Sequence, residues 1–340
     1  MAHGKSSRLG NLLLTGFIGR KLTDSVATRL VALRPAGVVL FARNVGTPEE
    51  LTMLTRDLRR VLGANAIISV DQEGGRVTRL RAPFTQWPPM REVGTIPGTK
   101  IARRIGFALG QELASVGINT DFAPVLDVDS NPNNPIIGDR AFAAEPARVA
   151  RLALAFAAGL EEAGIRACGK HFPGHGDTHE DSHFGLPVVN RSRRDLDRLE
   201  LAPFRRAVRA GLSFLMTAHI VYPQLDAENP ATLSRTILHD LLRKEFGFDG
   251  VIASDDLAME ALSGIGGVGA RAVAAVGAGC DLILACQRLG DGEKAVAALA
   301  SAERRGRLDP AAIRASLGRV RALRRSLTDT RRRPVTTAEA

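Results

Sequence analysis

Eight short apolar runs punctuate the chain, and their nature and spacing restrict the fold more than any other feature. They begin at NLLLTGF (residue 11), GVVLFA (37), AIISVD (66), INTDFAPVLD (118), RACGKHF (166), LSFLMTAHI (212), GVIASDD (250) and CDLILAC (280). Such runs are too apolar to lie half exposed, as strands of a one-sided antiparallel sheet do. Helical patterns fill the intervals. Thr47, Pro48 and Glu50 give TPEELTMLTRDLRRVLG a capped start. A second helix is expected from Glu145 to Gly164 and a third across PATLSRTILHDLLRKEFG, ending at Gly247. Strand and helix alternating eight times predict an α/β fold, a single (β/α)8 TIM-type barrel over 1–340. A doubly wound open sheet is the alternative.

A barrel of this kind builds its site at the carboxyl ends of its strands. Charged residues recur there: Asp71 after the third run, Asp121 and Asp127 in the fourth, Lys170 and His171 in the fifth, His219 in the sixth, Asp255 and Asp256 in the seventh. Any one of the carboxylates could serve only to cap the next helix. Their recurrence at one end points to a shared site, and a lysine at a buried strand end is rare unless paired.

Composition removes several function classes. Aromatic residues make up 4% of the chain, too few for base-stacking platforms. The formal charge is +10 and the pI about 10.4. Much of the excess sits late, at Arg304, Arg305, Arg307, Arg314, Arg319, Arg321, Arg324, Arg325 and Arg331 to Arg333. This pattern fits a solvated helix face and a frayed basic tail from about residue 328, so no nucleic-acid partner is expected. Cys168, Cys280 and Cys286 are an odd set in apolar surroundings, which suits buried thiols in a reducing compartment. The amino terminus lacks a signal-peptide pattern, and no stretch is long enough to span a bilayer. A cytoplasmic protein without membrane association is expected, a monomer or weak dimer.

The segment KHFPGHGDTHEDSHFGLP, 170–187, places His171, His175, His179 and His183 four residues apart. On a helix they would stack into a metal-binding face. Pro173, Gly174, Gly176, Gly185 and Pro187 break any such helix, leaving a glycine-rich functional loop after a strand and no expected metal or other cofactor.

DQEGGRVTRL at 71–80, the 170–187 segment and IASDDLAME at 252–260 resemble the signature segments of family 3 glycoside hydrolases, in particular the bacterial β-N-acetylglucosaminidase branch. The likeness runs from about residue 10 to 300. It implies a retaining mechanism with Asp255 as nucleophile and His183 as acid/base, assisted by Asp181 on a mobile loop. It also implies that Asp71, Arg79, Arg140, Lys170 and His171 bind the sugar. Histidine suits the acid/base role because its ordinary pKa of about 6.5 serves both halves of the proton cycle. The implied substrate is a small carbohydrate of cell-wall recycling, N-acetylglucosamine joined β-1,4 to 1,6-anhydro-N-acetylmuramic acid, with or without peptide.

Several alternatives stay open. Asp256 is a rival nucleophile, unless it caps a helix beginning near Leu257. Arg140 could instead form a surface ion pair with Asp139. Phosphate replacing water would give a phosphorylase on the same fold. A metal-dependent hydrolase would be inactivated by chelator, although the first strand lacks the paired histidines of such barrels. A noncatalytic protein binding anionic glycan or nucleic acid would have no reason to keep the DSH and SDD segments together.

Overall fold

The computed structural model describes residues 8–178 and 185–327. His179, Asp181, His183 and the basic tail from 328 lie outside the described residues.

Every expected apolar run forms strand. The strands are β1 (Leu13–Thr15), β2 (Gly37–Leu40), β3 (Ile67–Val70), β4 (Thr120–Asp121), β5 (Arg166–Ala167), β6 (Gly169–Phe172), β7 (Phe214–Thr217), β8 (Val251–Asp256) and β9 (Leu282–Ala285). All ladders are parallel, in the order β5-β4-β3-β2-β1-β9-β8-β7-β6. The two ends of that order are halves of the fifth run, divided at Cys168, so the sheet closes on itself. Beyond β4 the seam continues, with Leu126 N–H donating to Lys170 O at 2.7 Å and Lys170 N–H to Pro124 O at 3.1 Å. The (β/α)8 barrel is thus the observed fold, with one strand of the expected eight interrupted.

Side-chain alternation explains why the runs are apolar throughout. Leu14, Val39, Ile67, Phe122, Phe214, Met216, Val251, Ala253, Leu282 and Leu284 form an inner cluster, while Leu13, Val38, Leu40, Ile68, Leu215, Ile252 and Ile283 pack outward against the helices. Both faces of the sheet are therefore dry. Inside, the rings of Phe122 and Phe214 meet edge to face at 6.3 Å.

The expected capping box is present: Thr47 Oγ1 accepts from Glu50 N–H and Glu50 Oε2 from Thr47 N–H, opening the helix Pro48–Leu62. Glu145 caps Pro146–Glu162 through the N–H groups of Ala147 and Arg148. The helix expected across PATLSRTILHDLLRKEFG is corrected. A 3-10 turn, Ala231–Leu233, comes first, and a π-helix, Thr236–Glu245, follows. Ser234 lies in extended backbone between the two and its hydroxyl accepts from Ile237 N–H at 3.1 Å, starting a new helix there.

The helix Pro310–Ser326 closes the amino-terminal end of the barrel, sending Val320 and Leu323 into the inner cluster. Asp281, fully buried just before β9, holds it. Its carboxylate accepts from Ser316 at 2.7 Å, from Arg319 at 2.7 and 2.9 Å, from Ile252 N–H at 2.9 Å and from Arg243. Asp281→Ala is expected to lower stability to urea by about 3–5 kcal/mol, the range for stripping one partner from a buried ion pair. A loss below about 1 kcal/mol, as for a surface pair, would mean that apolar packing alone fixes this helix.

Candidate active site

A cleft of about 300 Å³ opens at the carboxyl ends of the strands. Asp71, Arg79, Arg140, Lys170, His171 and Asp255 all line it, together with Glu73, His175 and Asp256. Six of the eight residues expected at the site are therefore brought together; Asp181 and His183 fall outside the described residues.

Its centre is Lys170, 2% exposed. The ammonium lies 2.7 Å from Asp71 Oδ1 and 2.6 Å from Glu73 Oε1. Burial disfavours the charged lysine, but the two carboxylates outweigh burial and hold it above its ordinary range. Glu73 is bridged in turn by the Arg140 guanidinium, Nε to Oε2 at 2.8 Å and Nη2 to Oε1 at 2.9 Å. Burial pushes the Glu73 carboxyl up, and Arg140 and Lys170 more than reverse the shift, leaving it well below the carboxylate range. The Arg140–Asp139 pair does not form. Asp139 engages Arg76 at 2.9 Å, while Glu73 takes the Nε–Nη2 edge of Arg140 and Ile136 O accepts from Nη1 at 3.2 Å. Arg79 approaches Asp71 at 3.5 Å.

His171 is fixed from behind. Its Nδ1 is 2.6 Å from Asp127 Oδ2, and its Nε2 is 3.4 Å from Arg140 Nη2. Asp127 Oδ1 also accepts the backbone N–H groups of His171 at 3.2 Å and His175 at 2.7 Å, winding the start of the glycine-rich loop around one buried carboxylate. The loop base is tied further by Asn134, whose amide donates to His175 O and Gly176 O, and by the Tyr222 hydroxyl on Gly174 O. A Cβ at position 176 would lie 1.6 Å from Val128 O, so only glycine fits there. His175 Nδ1 faces Thr178 Oγ1 at 2.9 Å, and burial pushes this imidazole down to about 4.

The paired aspartates at the end of β8 differ in proton affinity. Burial pushes Asp255 up, but His219, His171, the Asp256 N–H at 2.7 Å and Lys170 together hold its carboxyl below the ordinary range. Burial pushes Asp256 up to about 6, with the charge of Asp255 adding to it. Asp256 caps no helix at Leu257. It accepts from Ala258 N–H at 3.1 Å and Cys286 N–H at 3.2 Å, followed by a 3-10 segment, Glu260–Ile265, and a helix only from Val268. His219 backs this strand end, with Nδ1 2.8 Å from Thr232 Oγ1 and Nε2 3.1 Å from Asp256 O.

Two pairs of consecutive residues, Lys170–His171 and Asp255–Asp256, line the same cleft. A regular strand would send consecutive side chains to opposite faces. The register of β6 on β7 slips between Gly169 and Phe172, and that of β8 on β9 between Ala253 and Asp256, so each pair sits in an irregular stretch. Glu73 lies two residues after Asp71 in the DQEGG segment, but nothing in the sequence pattern marks it for the site, and Asp127 stands out there only as a strand-end carboxylate.

A closed parallel barrel with buried ion pairs and an ionised aspartate facing a polar cleft defines an enzyme for a small polar substrate. The chain belongs to glycosyl hydrolase family 3, whose N-terminal domain matches residues 6–323. The β-hexosaminidase of Thiobacillus denitrificans is 44% identical over 284 residues, covering 82% of this chain and 78% of that protein. The β-hexosaminidase of a Neisseria meningitidis strain is also 44% identical, over 275 residues, covering 79% and 76%. Among solved structures, a family 3 β-N-acetylglucosaminidase from Paenibacillus superposes with a TM-score of 0.92 at 39% identity, covering 98% of this chain and 64% of that one. NagZ from Neisseria gonorrhoeae, solved with N-trifluoroacetyl-D-glucosamine, gives 0.81 at 38% identity, covering 92% and 89%. The protein is a glycoside hydrolase, a β-N-acetylhexosaminidase.

The ion network sets a pH dependence. Folding lowers the pKa of Glu73, so its contribution is fully present above the unfolded value and is lost as pH falls. Stability should decline from roughly pH 5 downward. Glu73→Gln should cost about 3–5 kcal/mol at neutral pH by leaving Lys170 and Arg140 without their shared counter-charge, and should flatten the acid limb. Urea titrations across pH measure both; an unchanged acid limb would remove Glu73 from this role.

Proposed function

We propose that the protein is a retaining exo-β-N-acetylglucosaminidase that releases terminal N-acetylglucosamine from β-1,4-linked 1,6-anhydro-N-acetylmuramic acid, with or without peptide, during cytoplasmic cell-wall recycling. The observation that carries this reading is Asp255: a carboxylate held ionised at the end of β8, facing the cleft that contains Asp71, Lys170, His171 and Arg140. Its neighbour Asp256 is pushed up to about 6 and engaged by two backbone N–H groups, which suits it less to attack. The N-acylated glucosamine bound in the Neisseria gonorrhoeae structure supports the sugar class.

In the proposed cycle a carboxylate oxygen of Asp255 forms a bond to the anomeric carbon as the glycosidic C–O bond breaks. His183 gives its proton to the departing oxygen. Water then attacks the same carbon, His183 takes the water proton, and the bond to Asp255 breaks. Two inversions give net retention. Asp181 orients the imidazole and stabilises its charged form. Asp71, Lys170, His171, Arg79 and Arg140 hold the sugar hydroxyls, in positions prefixed by their mutual ion pairs.

Asp255→Ala should abolish turnover, and a 5-fluoro glycoside should label Asp255 in a peptide map. Label on Asp256 would reverse the assignment. His183→Ala should slow cleavage of the natural disaccharide by about 10²–10⁴-fold, the usual size of an acid/base contribution. A dinitrophenyl glycoside, whose leaving group needs no proton, should still react in a burst that azide relieves. Equal slowing of both substrates without a burst would take the role away from His183. Product analysis in phosphate buffer should find free N-acetylglucosamine and not its 1-phosphate.

A further inference from the structure

The amino-terminal end of the barrel carries a second cavity, of about 490 Å³, on the face opposite the cleft. Asn11 and Asn65, which precede β1 and β3, form one wall; Arg314, Leu317, Arg321 and Arg324 form the other. The last four recur at intervals of three and four residues on the helix Pro310–Ser326, so they share one face. Arg324 is clamped in place, Nη1 on Asn11 Oδ1 at 2.7 Å, Nη2 on Asn65 Oδ1 at 3.0 Å and Nε on Asn65 O at 3.2 Å. All of these acceptors are neutral. Among the described residues no carboxylate pairs with Arg314, Arg321 or Arg324, whereas Arg319 on the same helix is met by Asp281 and Arg8 at the cavity edge by Glu303. Burial lowers the pKa of Arg324.

Three uncompensated guanidinium groups around one cavity match a dianion better than a single carboxylate, and planar guanidinium forks suit phosphate oxygens. We propose that this cavity binds a small phosphate-bearing anion, with Arg314 and Arg321 closing on its oxygens, Arg324 as the fixed cation behind them and Leu317 against any organic body. The site is separate from the sugar cleft and independent of the catalytic assignments.

The experiment is calorimetric titration of the full chain with inorganic phosphate and with phenyl phosphate, at constant ionic strength in sodium chloride, with the sugar cleft saturated by N-acetylglucosamine. One saturable site is expected. In the double variant Arg314→Ala/Arg321→Ala, at two exposed positions, its Kd should rise at least tenfold while hydrolysis of a chromogenic N-acetylglucosaminide is unchanged. Tighter binding of phenyl phosphate would assign an organic phosphomonoester, and equal binding free phosphate. No saturable site in the wild type, or full affinity in the double variant, overturns the proposal.

Discussion

A lysine ammonium at 2% exposure is the constraint around which the catalytic face is organised. Stripped of water, Lys170 is tolerable only with anions at contact distance, and Asp71 and Glu73 supply them at 2.7 and 2.6 Å. Glu73, equally buried, needs more positive charge than one lysine gives, which brings in Arg140 on both its oxygens. Arg140 then stands against His171, and His171 is oriented by Asp127. Four segments of the chain, around residues 71–73, 127, 140 and 170–171, are thus locked into one charge pattern before any sugar arrives, the condition under which polar groups assist a reaction without first having to reorganise.

The same pattern bears on the two aspartates at the end of β8. They are chemically identical and adjacent, and burial raises the proton affinity of both; the positive groups around Asp255 more than reverse that effect there, while Asp256 meets the negative charge of Asp255 instead. Environment divides the labour, as it does wherever two like acids in one site hold different protonation states.

The barrel was legible because its strands are apolar on both faces, a pattern that few other folds require; Leu13 outward and Leu14 inward both have to be leucine-like. The division of the fifth run at Cys168 was not legible, since RACGKHF has no break in hydrophobic character and the interruption arises from closing the ring. The late start of the helix at Thr236 turned on the Ser234 hydroxyl, a local competitor that a longer apolar pattern concealed. Residue types and strand-end positions pointed to Asp71, Lys170, His171, Asp255 and Asp256, which line one cleft; the choice of Asp255 over Asp256 came from the resemblance. The partner of Arg140 did not follow, because Asp139 is its sequence neighbour while Glu73 is 67 residues away. Contacts made through space leave no trace in spacing. The part assigned to Asp181 and His183 rests on resemblance alone.

The slipped registers of β6 and β8 carry a lesson for anyone transplanting this chemistry. A designer who copied the residue identities onto an idealised barrel with perfect ladders would find one member of each adjacent pair turned into the hydrocarbon layer beneath the helices. The ladder defects would have to be grafted along with the side chains, and insertions or deletions near Gly169 or Ala253 would disarm the face even where every polar residue survived.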